Sequence, residues 1–223
     1  MNRRTVVTVC RKLARAYGPL PANRPADPVD ELVATILSQN TSDVNSHRAF
    51  ANLKRRFPRW EQVASARSAA IASAIRSGGL ANIKAPRIQR VLNEVRRREG
   101  AITLKRLRTM PDREAIAYLT SLPGVGMKTA ACVLLFSLGR PVMPVDTHVY
   151  RVTRRLGWIP EHTPVERAGF LLEPHIPARR MYGTHICLVW HGRRTCKAQR
   201  PRCGACAIRM HCRFFRSKNA SAV

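Results

Sequence analysis

Apolar residues recur at three- and four-residue intervals along almost the whole chain, the spacing that gathers them on one face of a helix. In residues 1–17, Val6, Cys10, Leu13 and Tyr17 share such a face, and Gly18-Pro19 stops the helix. DPVDELVATIL predicts the next helix, with Asp27 as N-cap, Pro28 at the first helical position and Val29, Leu32, Val33, Ile36 and Leu37 as the buried stripe. SQNTS breaks the pattern, and a further helix runs from about Asp43, the expected cap, to Phe57 before Pro58. AIASAI reads as helix up to Gly78-Gly79, and KAPRIQRVLNEVRRR turns Ile88, Val91, Leu92 and Val95 inward. PDREAIAYLTSL and KTAACVLLFSL flank a glycine turn. After Pro141-Val-Met-Pro144, DTHVYRVTRRLG buries Val149, Val152 and Leu156. Thr163-Pro-Val-Glu166 has the form of a capping box, ARRMYGTHICLVWHG is a long helix closed by Gly192, and SKNASAV is expected to be a disordered polar tail. With no β-hairpin or repeat in the pattern, the expected fold class is all-α.

Composition narrows the function. The 223 residues are 45% hydrophobic, enough for a core, yet 40 Lys and Arg face 13 Asp and Glu, a net charge of +27. That balance points to a polyanionic partner and leaves DNA, RNA and an anionic membrane surface open. No apolar run reaches the roughly 20 residues of a membrane span, and no apolar leader is present, so a cytoplasmic, nucleoid-associated protein is expected. Residues 1–26 hold six Lys and Arg and no acid, as a transit peptide could, but the helical periodicity favours a structural helix. Of seven cysteines, Cys10, Cys132 and Cys187 sit among apolar residues as core thiols, while four crowd into residues 196–212. An odd total with one tight cluster argues against a secreted disulfide framework.

Two motifs carry chemistry. In LPGVGMKTA, Gly124-Val125-Gly126 lets backbone approach a ligand without a Cβ in the way, ahead of a helix whose free N–H groups suit a phosphate. Leu122 and Val125 would pack the two helices together. A plain tight turn explains the glycines but not Lys128 in the first helical turn, where a cation meets the positive end of the dipole. An unprotonated lysine amine there is a nucleophile for a sugar or carbonyl carbon. Asp146, before THVYRV, reads as a helix cap whose ionised carboxylate could also stabilise an oxocarbenium-like sugar or accept a proton. The second motif is C-x6-C-x2-C-x5-C, from Cys196, Cys203, Cys206 and Cys212, and four such thiols suit zinc or an iron–sulfur cluster.

LPGVGMKTA followed by VDTHVYRV resembles the helix-hairpin-helix–Gly/Pro…Asp signature of the endonuclease III family of DNA glycosylases, and the cysteine spacing behind HGRRT resembles that family's 4Fe–4S loop. The likeness runs from about residue 27 through Cys212. It implies a six-helix barrel domain over residues 22–140 and a cluster domain from 1–21 with 141–223, with DNA across the groove between them. By the same resemblance Lys128 attacks deoxyribose C1′, Asp146 assists, and the four cysteines hold a 4Fe–4S cluster. Gly124, Val125 and Gly126 grip the backbone, while Arg200 and Arg202 project with Arg193, Arg194 and Lys197 towards phosphates. The loops SQNTSD and GGLANIKA match segments that enter the duplex once a base is flipped, which nominates Gln39, Asn40, Leu80 and Asn82. Met127 replaces the family's usual Arg, Asn40 its wedge Gln and Ala81 a larger aromatic residue, and residues 83–127 form a longer stretch than the family's. The implied activity is a monomeric, bifunctional glycosylase and abasic-site β-lyase acting on oxidised or saturated pyrimidines such as thymine glycol in double-stranded DNA. An enzyme that is mainly an abasic-site lyase, a glycosylase for another lesion or mismatch, and a non-catalytic helix-hairpin-helix DNA-binding protein are the rival readings. Because the chain ends soon after the cysteines, no C-terminal recognition domain of the adenine-glycosylase kind is expected.

Overall fold

The computed structural model describes residues 2–23 and 25–220, and these are helical with no strand among them. They form two compact units, Pro25–Leu138 and Met1–Arg24 together with Gly139–Val223. Helix α1 (Arg3–Tyr17) belongs to the second unit, where Val6, Val9, Cys10 and Leu13 are buried, so the basic N-terminal segment is a core helix.

The Pro25–Leu138 unit holds α2 (Pro28–Ser38), α3 (Asp43–Arg56), α4 (Trp60–Ser65), α5 (Ser68–Ala74), α6 (Ala81–Glu99), α7 (Asp112–Thr120) and α8 (Met127–Cys132), which runs on as a π-helical stretch, Val133–Ser137. Asp27 caps α2 through its side chain on the Val29 N–H, with Pro28 inside the first turn, as the sequence predicts. Ser42, not Asp43, caps α3, because its hydroxyl accepts from the Asn45 N–H three residues on. Helix α4 was not expected: six residues span too few turns for a periodic signal. Its Trp60 indole donates to Asp30 at 2.8 Å, and Lys54 lies 4.3 Å from the ring centroid, so one side chain joins α2, α3 and α4. Leu32, Ile36, Leu37, Leu53, Ile71, Ile88 and Leu92 are fully buried, each contributing about 1.5–3 kcal/mol of transfer free energy.

Among the described residues of this unit, one charged side chain is buried with the apolar ones. Lys84, on α6, is 2% exposed, and its ammonium donates to the Leu37 carbonyl at 2.7 Å and the Gly78 carbonyl at 2.8 Å. Burial, reinforced by the nearby Arg87 charge, pulls its pKa below the ordinary lysine range. The two acceptors lead into the two loops nominated above.

In the other unit, α9 (Thr147–Leu156), α10 (Val165–Leu172), α11 (Met181–Arg194) and α12 (Arg213–Ala220) follow the Pro141–Pro144 break. Three expectations need correction. The Thr163–Glu166 capping box does not form: α10 starts behind Pro164 with no side-chain cap, and Thr163 is buried with its carbonyl accepting from the Tyr150 hydroxyl at 2.6 Å. Gly192 does not close α11, which continues to Arg194; it lets α11 cross α9, since a Cβ there would stand 2.7 Å from the His148 Cβ. Residues 217–220 of the expected polar tail belong to α12, and the tail's last three residues lie outside those described.

Two predictions follow from this packing. Lys84→Met leaves two buried carbonyls without a donor and should lower unfolding free energy by about 3 kcal/mol in urea titrations. Gly192→Ala should cost about 2 kcal/mol by overpacking against His148, read as a lowered melting temperature.

Candidate functional site

The glycine turn is built largely from α6. Helix α7 ends at Ser121, whose hydroxyl and carbonyl accept from Arg98 at 2.6 and 3.1 Å. Gly124 takes φ +77°, a conformation that favours glycine, and the Arg87 side chain stands 3.1 Å from where its Cβ would be, so a side chain there would also press on Arg87. A Cβ on Gly126, the N-cap of α8, would meet open space. Leu122 and Val125 are buried, as expected of residues that join two helices. Val125 is therefore a packing residue: its side chain is 5% exposed and its N–H donates to the Leu122 carbonyl, so the structure does not offer it as a surface contact. Lys128 lies half-buried on the first turn of α8.

The same unit carries the two loops. Gln39 ends α2, and its side-chain oxygen accepts from Arg87 at 2.8 Å, which links this loop to the helix lining Gly124. Asn40 is exposed with φ +53°, and Leu80 is 48% exposed with φ +49°. Asn82 is exposed on the first turn of α6. Ile83 and Val44 are 56% and 67% exposed, two large apolar side chains that the sequence pattern did not single out. Left-handed backbone is costly for a residue with a Cβ. Among the described residues only Asn40, Leu80 and Arg200 are non-glycines in that region, and all three were nominated from sequence.

In the other unit Asp146 caps α9: one carboxylate oxygen, Oδ1, accepts from the N–H groups of His148 at 2.9 Å and Val149 at 2.7 Å, leaving Oδ2 outside the cap. From α9, Arg151 reaches the carbonyls of Gly192 at 2.8 Å and Cys196 at 2.9 Å. Arg155 donates to the carbonyls of Lys197 and Ala198 at 2.7 and 3.0 Å and to the Cys196 sulfur at 3.3 Å. Sequence reasoning missed both arginines, since RVTRRLG reads equally well as a solvated charged face. Arg193, Lys197, Arg200 and Arg202 are exposed, while Arg194 lies over the rings of Trp190 and Tyr17.

Cys196, Cys203, Cys206 and Cys212 all line one cavity of about 380 Å³, counting its part open to solvent, with Val152, Leu156, Ile208, Phe214 and Arg155 in its wall. Among the described residues no three His, Cys, Asp or Glu side chains meet closely enough to hold a single metal ion. Four thiols lining one cavity are a donor set for an iron–sulfur cluster as well as for tetrahedral zinc. Burial raises the pKa of Cys206 and Cys212, and the neighbouring thiols raise both further, so thiolates here need a cationic partner. His191, held down to about 4 by burial, is a neutral imidazole. With its proton on Nε2 it donates to the Cys206 sulfur at 3.6 Å, and its Nδ1 accepts from Tyr17 Oη at 2.8 Å. The residues present fit an iron–sulfur group.

Residues 33–174 match the family of HhH-GPD superfamily base excision DNA repair proteins. The chain is 41% identical over 165 residues to the putative DNA glycosylase At3g47830 of Arabidopsis thaliana, covering 74% of this chain and 56% of that protein. It is 32% identical over 201 residues to endonuclease III of Thermotoga maritima, covering 90% of each. Its fold matches that of a trapped endonuclease III–DNA covalent intermediate with a TM-score of 0.82 at 26% identity, over 98% of this chain and 99% of the other. With a family match across more than half of its length, and an endonuclease III alignment across nine-tenths of it, the chain belongs to the endonuclease III-like branch of the HhH-GPD base excision DNA repair proteins.

Proposed function

We propose that this chain is a bifunctional DNA glycosylase and abasic-site lyase that removes oxidised or saturated pyrimidines such as thymine glycol. The observation that carries this reading is Lys128, a half-buried amine on the first helical turn behind Gly124-Val125-Gly126 in a chain of this family. A binding module needs the glycines and the charge but has no use for an amine there. Lys128 attacks C1′ as the glycosidic bond breaks, forms a Schiff base with the opened sugar, and β-elimination then cuts the strand 3′ to the lesion. Asp146 presents its uncommitted carboxylate oxygen to the cationic sugar. Asn40 and Leu80 fill the space left by the flipped nucleotide, and their left-handed backbones support this, because strain of that kind gathers at functional sites. Gly124, Gly126, Arg200 and Arg202 take backbone phosphates, with Gln39 and Asn82 beside the lesion.

Cys196, Cys203, Cys206 and Cys212 hold a 4Fe–4S cluster, which supplies a covalent tie for the C-terminal loop. Around it Arg155 and His191 direct hydrogen-bond donors at the cysteine sulfurs. The partner is double-stranded DNA with damaged bases or abasic sites. Among the described residues no helix is long and apolar enough to cross a membrane.

Borohydride trapping on a thymine glycol duplex and on an abasic duplex tests the reading. Wild-type protein should give a covalent adduct on both, and Lys128→Gln on neither, while duplex binding by the variant stays within about threefold because a single charge is a minor share of the phosphate grip. An adduct on the abasic duplex alone would keep the lyase and move the substrate to another base. Cys203→Ser should lower iron content and visible charge-transfer absorption, and with them thermal stability. Full iron content in that variant would remove Cys203 from the ligand set.

A further inference from the structure

Arg87 has no part in the chemistry above, yet it holds a residue that does. It stands on α6, and its Nη1 donates to Gln39 Oε1 at 2.8 Å. The stem of the same side chain lies over the glycine turn, with Cγ and Cδ 3.1 Å from where a Cβ on Gly124 would be. Among the described residues no carboxylate pairs with the guanidinium, and the acceptor it reaches is this uncharged amide. A guanidinium carries donors only, so the amide can face it with its oxygen alone. That settles which end of Gln39 points elsewhere, and among the described residues its Nε2 has no acceptor. A glutamine free on a loop turns either end outward with similar ease. A flipped Gln39 would lose a charge-assisted bond and set donor against donor. The half-buried side chain therefore presents donors only, at the end of α2 beside the exposed Asn40. The sequence could not reveal the link, because the two residues lie 48 positions apart.

We infer that Arg87 is a positioning residue for specificity, fixing Gln39 so that its amide donates to a carbonyl oxygen of the lesion base. The inference rests on the proposed glycosylase reading and names the chemistry that Gln39 recognises within it. Thymine glycol keeps carbonyl oxygens at C2 and C4, and both accept. A donor-only side chain favours such an oxygen and rejects an amino group at the same place, which would leave two donors facing each other. A base edge suits the position better than a phosphate. Gln39 is neutral, and its neighbour Asn40 is uncharged and held in left-handed backbone, in a loop proposed to enter the duplex instead of following its backbone.

Relative affinity separates the base from the phosphates. A duplex with one thymine glycol and a duplex with a tetrahydrofuran abasic analogue at the same position share every phosphate, so the ratio of their Kd values isolates contacts to the base. In a Lys128→Gln background, which leaves the base in place, Gln39→Met should shift that ratio against thymine glycol by about 10-fold, the effect of one hydrogen bond left unmade. Arg87→Met should shift it by a similar factor, and the two together no further, because they break one device. Arg87→Lys still donates and should recover most of the loss. Gln39→Glu keeps its bond to Arg87, so the melting temperature should hold, but it exchanges the donors for a second acceptor and should shift the ratio at least as far as Gln39→Met. A purely structural link would leave the ratio of Gln39→Glu at the wild-type value. That result, an unchanged ratio in Gln39→Met, additive shifts in the double variant, or equal losses on both duplexes as for a phosphate contact, would overturn the inference and leave the glycosylase reading standing. Failure of the chain with Lys128 intact to release thymine glycol would instead defeat that reading itself.

Discussion

A lysine ammonium taken out of water must give its protons to something, and in this chain Lys84 gives them to the carbonyls of Leu37 and Gly78. Burying a charge is among the more expensive things a fold can do, and it persists only where good geometry offsets it. Here the geometry brings the end of α2 and the turn before α6 to the same atom. Three residues along, Arg87 reaches Gln39 and lies against Gly124, and further along Arg98 holds Ser121. Helix α6 is thus the spine on which both candidate DNA-facing loops and the glycine turn are mounted. A shift in it would displace all three together, which is how a rigid scaffold keeps mobile-looking loops in register.

The same economy explains how so basic a chain holds itself together. Thirteen acids cannot pair with forty cations. Backbone carbonyls stand in: Arg151 serves Gly192 and Cys196, Arg155 serves Lys197 and Ala198, and Arg209 serves Gly204. A guanidinium matched to carbonyls keeps its full positive charge, so the internal bonding of the cysteine loop adds to its field instead of neutralising it. The loop is at once cross-braced and left electropositive, the combination a phosphate-facing element requires.

What could be read from the sequence followed from how local the signal was. Helices α1, α2, α6 and α9 announce themselves because a buried stripe repeats over two or more turns, and Asp27 and Asp146 cap as their positions promise. The family resemblance named the hairpin and the cysteine loop from short, specific motifs. Where a residue's role depends on something distant in sequence, the pattern was silent or misleading. Lys84 drew no notice in the helical pattern and is a core residue. Gly192 looked like a terminator and is a crossing point, because its neighbour is His148 rather than the next turn of its own chain. Thr163 had the right spacing for a cap but is committed to Tyr150.

Asn40, Leu80 and Arg200 keep side chains in backbone that glycine would occupy more comfortably. Each position costs the folded state free energy whether or not DNA is bound. A directed-evolution campaign that selected this chain for heat tolerance alone would find relief at those three residues, and in taking it would blunt the surface that the strain maintains. If the proposed duplex contacts hold, thermal robustness and duplex engagement pull against one another at three identifiable addresses in the chain, and variation among relatives at these positions would record how each settled the trade.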